Sequence, residues 1–221
     1  MAKLHLDPQR LPVDSIGAEP ALPPERLQAG WLRQRLARPA AWEPELPNDL
    51  RERFPTLRRA AVLVPIVDRP EGLTVLLTQR TAHLNNHAGQ ISFPGGSADE
   101  LDSSAIETAL RETEEEIGLA RRHIEIVGVL PDHITASSYL VTPVIGLVTP
   151  PFQLVAESNE VAEIFEVPLA FLMNGANHQR MSFELPQGAG RRSFYAMPYE
   201  RFFIWGATAG MLRNLFHLLR A

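Results

Sequence analysis

The segment from Gln90 to Leu119 constrains this chain more than any other. A short strand-like run, Gln90 to Phe93, enters the glycine turn Pro94-Gly95-Gly96, and an acid-rich helix follows that stops near Gly118. Glycine lets a backbone turn tightly and bring its N–H groups close to phosphate oxygens. Asp102 or Ser103 is the expected N-cap of the helix. On a wheel of about 100° per residue with Glu112 at zero, Ile106, Ala109, Leu110, Thr113 and Ile117 form the buried stripe. Glu112, Glu115 and Glu116 fall at about 0°, −60° and +40°, on one arc beside that stripe. Glu114 points elsewhere and reads as solvated surface. Arg111, about 40° from Glu115, is placed to pair with it.

Three carboxylates on one face repel one another, each pair by on the order of 4 kcal/mol at about 4 Å. A divalent cation relieves this, and ligation by oxygen alone suits Mg²⁺ or Mn²⁺. A glutamate-rich helix by itself is ordinarily a solvated face. The glycine turn delivered to its start is what points to phosphate chemistry.

The rest of the chain is organised around this unit. Residues 1–56 carry prolines throughout and read as an arm, with one short helix from Arg26 to Ala37 and with Trp31 and Trp42 as anchors on the main domain or a partner subunit. Residues 57–221 read as the compact domain. Ala60 to Val67, Leu73 to Gln79, Ile124 to Leu130 and Tyr139 to Val148 are strand-like. Phe165 to Met173 reads as a short helix, Phe183 to Ile204 as two or three strands, and Thr208 to Leu219 as an amphipathic helix. Tyr139, Tyr195 and Trp205 read as core residues.

Composition narrows the partners. The 221 residues carry a net charge of −5, which gives no broad basic surface for a nucleic-acid backbone. Small molecules are the expected partners. There are no cysteines, so disulfides, thiolate metal sites and cysteine nucleophiles are excluded. No apolar run reaches membrane-spanning length, and Met1 to Pro12 lacks the apolar core of a signal peptide. The expectation is a cytoplasmic protein without a membrane partner.

Gly96 to Leu119, GSADELDSSAIETALRETEEEIGL, resembles the Nudix box, G-x5-E-x7-R-E-U-x-E-E-x-G-U with U aliphatic. Arg111 to Leu119 matches its second half, with Thr113 at the aliphatic position. Asp102 stands where the first glutamate belongs, with eight residues rather than seven between it and Arg111. This longer, Asp-bearing version is similar to the coenzyme A pyrophosphatases of the family. Leu76 to Gly96, LLTQRTAHLNNHAGQISFPGG, resembles a second motif of that branch, with Asn85 in place of an arginine. The likeness runs from about residue 58 to 219.

The resemblance implies an α/β fold: a Nudix α/β/α sandwich with a mixed β-sheet, here with a Pro-rich N-terminal extension. It implies metal-dependent hydrolysis of the diphosphate of coenzyme A or an acyl-coenzyme A, giving 3′,5′-ADP and the 4′-phosphopantetheine. Other nucleoside diphosphate derivatives, such as ADP-ribose or dinucleotides, are the alternative that Asn85 favours, and a nonhydrolytic Nudix-fold ligand-binding protein is a further one. Glu112, Glu115 and Glu116 are the implied metal ligands. The general base stays open between the box, Glu112 or Glu115, and a downstream loop, where Glu160 is the candidate. Arg80, Gln90, Gly95 and Gly96 are the implied substrate contacts. His87 lies near this segment in sequence, but a lone histidine is more often structural or exposed. A homodimer is a family-level expectation.

Overall fold

Along Ala60 to Val67 nearly every residue is apolar, as expected of a strand covered on both faces. The computed structural model describes residues 7–45, 54–83, 88–185 and 190–221. Asn85 and His87 lie outside the described residues. In chain order the elements are β1 (Val13–Ile16), α1 (Ala29–Ala37), β2 (Arg58–Arg69), β3 (Gly72–Arg80), β4 (Ile91–Ser92), β5 (Gly95–Ser97), α2 (Ala105–Ile117), β6 (Ile124–Val129), β7 (His133–Ile134), β8 (Tyr139–Val148), β9 (Val161–Pro168), α3 (Leu169–Leu172), β10 (Gln179–Glu184), β11 (Arg191–Tyr199), β12 (Phe202–Trp205) and α4 (Gly206–Arg220).

The main sheet is mixed. β2 pairs in parallel with β8 from Arg58–Tyr139 to Val67–Val148, while β3, β4, β5, β6, β7 and β9 add antiparallel pairings. One edge of β2 is shared: Ala60 to Val62 pair with β5, and Ile66 to Arg69 pair with β3. Pro65 sits at the seam between them. Leu63, two residues earlier and facing the same edge, donates its N–H to Pro94 O at 2.9 Å. A proline is tolerated there because the seam asks for no donor.

The sheet's two faces read directly from the period-two alternation. Ala61 and Leu63 of β2, with Val144 of β8, pack against Ala109 of α2. Val67, Leu76, Val148 and Val161 gather around Ile117 and Leu119 on the same side. The opposite face, with Val64, Ile66, Val75, Leu77 and Ile145, is covered by α4, by α1 through Leu32, by α3 and by the small sheet. A sheet between helical layers follows, as expected.

Phe165 to Met173 is not one helix. Residues up to Pro168 belong to β9, which pairs antiparallel with β3 from Thr74–Pro168 to Arg80–Val161, and only Leu169–Leu172 is helical. Ile164 faces the α2 side while Phe165 and Val167 join the other core, a strand period that the short apolar run concealed. Phe165 also stacks on Phe202 at 3.6 Å between centroids.

β10, β11 and β12 form a second, antiparallel sheet, and β1 extends it by pairing with β10. The N-terminal segment is therefore tied to the domain. Arg35 donates twice to Leu218 O, and Arg26 donates to Leu219 O and Arg220 O, satisfying carbonyls at the end of α4. Trp31 and Trp42 pack against the large core. Helix α1 begins at Ala29 rather than Arg26, because Pro24–Arg26 forms a separate 3₁₀ turn. No helix among the described residues is long and apolar enough to cross a membrane.

Candidate active site

The helix of the glutamates is capped by Ser104, not by Asp102 or Ser103. Ser104 Oγ accepts from Glu107 N at 3.3 Å, and Gly118 closes the other end in the left-handed conformation. Ser104-x-x-Glu107 is the opening of a capping box, a signal present in the sequence and passed over. Asp102 is released for a different task. Its carboxylate takes the fork of Arg111, with Nε to Oδ1 at 3.0 Å and the NH2 nitrogen to Oδ2 at 2.9 Å.

Arg111 is the organiser of the site. Besides Asp102, its guanidinium donates to Ser97 O at 3.1 Å, to Glu112 Oε1 at 2.9 Å and to Glu115 Oε2 at 3.0 Å. That gives an acceptor to each of the five N–H groups an arginine has. A lysine has neither the donors nor the planar fork to do this. The pairing with Glu115 was expected from the wheel; the links to Asp102, Ser97 and Glu112 join the loop to the helix and were not. Asp102, held by Arg111 and by the Asp99 N–H and Thr108 hydroxyl, is kept far below the usual carboxylate range.

The glycine turn seats two carboxylates. Glu116 is nearly buried, and its Oε2 accepts from Gly95 N at 3.0 Å. That amide is thus engaged by protein. Gly95 has φ +146°, and a Cβ there would lie 2.4 Å from Ala61 O. At Gly96 a Cβ would lie 2.3 Å from Glu112 Oε2, so only glycine lets that carboxylate lie against the strand. Burial pushes Glu116 up to about 7 against the pull of the Gly95 N–H and Arg80, and Glu160 and Glu112 add to the rise. Burial also raises Glu112, opposed by Arg111 and reinforced by Glu115 and Glu160.

Glu160 reaches the site from the loop ahead of β9. That loop is stitched to the end of α2 by Val155 N to Ile117 O at 2.9 Å and Glu157 N to Glu116 O at 2.8 Å. It is stitched to β3 by Thr81 N to Glu160 O at 2.9 Å. Arg80 lies between the two acids, 3.5 Å from Glu116 Oε1 and 3.6 Å from Glu160 Oε2. These are long contacts, so Arg80 is shared rather than committed. Gln90 is half-buried beside it, its carbonyl accepting from Arg80 N at 3.0 Å. Glu115 is mostly exposed, and Glu114 is drawn away by Arg121. Thr113, at the box's aliphatic position, is buried and returns its hydroxyl to Ala109 O at 2.6 Å.

The structure thus brings Glu112, Glu116, Glu160, Arg80, Gly95 and Gly96 together and leaves Glu115 at the rim. Among the described residues, no three acidic or histidine side chains converge on one point, since Arg111 draws Glu112 and Glu115 toward itself. The donor chemistry nonetheless fits a hard divalent cation: all oxygen, with a buried Glu116 that senses the charge of a half-buried Glu112.

The family profile described as NUDIX domain matches residues 57–184. The chain is 45% identical over 159 residues to the protein described as uncharacterized Nudix hydrolase NudL of Escherichia coli K12, covering 72% of this chain and 81% of that one. A form from Shigella boydii serotype 4 is likewise 45% identical over 159 residues. Among solved structures, a C. elegans Ap4A hydrolase binary complex is similar at 21% identity, covering 50% of this chain and 80% of the other, with a TM-score of 0.42. The M. smegmatis Nudix hydrolase RenU is similar at 23% identity over 52% and 73% of the two chains, with a TM-score of 0.44.

Proposed function

This chain belongs to the Nudix family of phosphoanhydride hydrolases, and from that premise we propose that it cleaves the diphosphate of coenzyme A or an acyl-coenzyme A with Mg²⁺ or Mn²⁺. The observation that carries the hydrolytic reading is the seating of Glu112 and Glu116 on Gly95-Gly96, with Arg80 poised between Glu116 and Glu160. The substrate rests on the Leu76 to Gly96 motif and the Asp102 form of the box.

Glu112, Glu115 and Glu116 would hold the metal, which when bound supplies charge neutralisation at the diphosphate and acidifies the attacking water. A water oxygen bonds to phosphorus, the bridging P–O bond breaks, and the proton passes to a carboxylate. Glu160 suits that base role: it is half exposed to water, and Arg80 meets it only at 3.6 Å. Glu112 and Glu115 each already give an oxygen to the same nitrogen of Arg111. Arg80 and Gln90 would face the phosphates, while Gly95 and Gly96 shape the floor beneath them. Residues 57–221 form the catalytic unit in this reading and residues 1–56 its arm; a homodimer is checked by light scattering of the full chain.

Asn85 favours the second reading, since an arginine fork for a phosphate is absent at that position. The test is a panel of coenzyme A, ADP-ribose, NADH and diadenosine polyphosphates incubated with Mg²⁺ or Mn²⁺ and read by product mass. Coenzyme A should give 3′,5′-ADP and phosphopantetheine with the highest kcat/KM. ADP-ribose turnover well above coenzyme A turnover overturns the substrate assignment, and no turnover on any member overturns the hydrolytic one for these compounds.

A further inference from the structure

A second ionic cluster lies under the N-terminal segment, at a cavity of about 520 Å³ that no residue of the glutamate helix lines. Its walls come from three places. Strand register puts Ser15, Arg180 and Tyr195 in one row, since Ser15 pairs with Arg180 and Arg180 with Tyr195. Side chains directly opposite on neighbouring strands share a face. Arg213 and Arg220 of α4 form the facing wall, and Ile16 to Pro20 form the third.

The acids in this cluster are already committed. Glu19 accepts from two nitrogens of Arg213, NH1 at 3.1 Å and NH2 closer still. Glu45 accepts from Tyr195 OH at 2.6 Å and Arg213 Nε at 3.2 Å, and meets His217 Nε2 at 2.6 Å. Arg180 and Arg220 line the same cavity, and neither side chain has an ion pair or hydrogen bond among the described residues. Three arginines therefore face one carboxylate, Glu19, across walls that also include Ile16, Ala18 and Pro20. Guanidinium forks match the oxygens of phosphate, and apolar walls strengthen the attraction.

We infer that this cavity binds a small organic phosphate monoester, whose phosphate lies between Arg180 and Arg220 and whose organic part rests on Ile16, Ala18 and Pro20. A monoester is close to dianionic at neutral pH and so answers two uncommitted cations; a monocarboxylate answers one. Such a ligand would bridge the N-terminal segment, the small sheet and α4 at once, and would stabilise the fold by mass action.

The test uses the full chain in EDTA, with phenyl phosphate, inorganic phosphate and benzoate as probes at matched ionic strength. Phenyl phosphate should raise Tm and bind by calorimetry, inorganic phosphate more weakly and benzoate least. The Arg180→Gln/Arg220→Gln double variant should bind at least tenfold more weakly, and Glu116→Gln should bind as the wild type does. Both arginines are exposed, and far-UV circular dichroism checks the variant's fold. As a measurement independent of any variant, amide shifts on titration should cluster at residues 15–20, 180, 195 and 213–220. No binding, equal binding by the double variant, loss of binding in Glu116→Gln, or shifts centred on residues 95–116 would each overturn the inference.

Discussion

Two ionic clusters share this molecule, one at the end of α2 and one under the N-terminal segment, and they treat their carboxylates in opposite ways. Glu45, bonded by His217, Tyr195 and Arg213, is pulled down to about 2. Glu116, with one backbone N–H and a distant arginine, is pushed up to about 7 by burial. The cluster under the N-terminal segment has cations enough to settle its acids and holds two parts of the chain together. The cluster at α2 leaves the buried Glu116 and the half-buried Glu112 under-neutralised beside a glycine turn, which costs stability and suits a site that gathers positive charge. Asp102 and Arg111 show that the same segment contains both kinds: that pair is settled, and it positions the unsettled ones.

The sharpest way to break the contrast is at Gly96. A methyl group there would fall 2.3 Å from Glu112 Oε2, so Gly96→Ala should displace that carboxylate and lower turnover on the order of 100-fold. Near wild-type kcat would show that the seating of Glu112 does not matter. On the other side, Arg213 is almost fully buried among Glu19, Glu45 and His178. Arg213→Met strands those acids and should cost about 3–5 kcal/mol in urea unfolding, while kcat per folded molecule holds. A stability change below about 1 kcal/mol would mean the cluster does not fasten the arm.

A smaller effect comes from pH, measured without metal. Burial lowers His133 and His178 to about 4 in the fold, against about 6.5 unfolded. Their contribution to stability is complete above pH 6.5 and is lost as pH falls toward 4. Glu116 runs the other way: its folded value lies above the unfolded one, so its penalty is absent below about pH 4.5 and grows as pH rises through 7. Glu116→Gln should therefore match the wild type near pH 4.5 and exceed it by a few kcal/mol at pH 8. A pH-independent difference would contradict this. Smallest of all, Thr113→Val removes a buried hydroxyl whose partner is already a helix carbonyl, and should change stability by less than about 1 kcal/mol.

What could be read beforehand follows from range. The glutamate face, the glycine turn and the whole extent of β8 are local patterns, and they appear in the structure where periodicity places them. Phe165 to Pro168 could not be read that way, because four apolar-rich residues fit either period and pairing with β3 decided it. The Ser104 cap is legible in the Ser104-x-x-Glu107 spacing. The role of Asp102 needed three dimensions, since a nine-residue separation on a loop does not reveal a fork geometry. Least legible was the arm cluster: Glu19 and Glu45 meet Arg213 across 194 and 168 residues, and nothing in local composition links them.

Helix α2 places Glu116 to support hydrolysis of a phosphoanhydride in the proposed reading. Turnover of coenzyme A with Mg²⁺ in oxygen-18-labelled water, compared between wild type and Glu116→Gln and read by product mass, checks that placement. The wild type should place one labelled oxygen in a phosphate monoester product, and the variant should lose at least about 100-fold in rate with its circular dichroism unchanged. Undiminished turnover by a folded Glu116→Gln protein would contradict it.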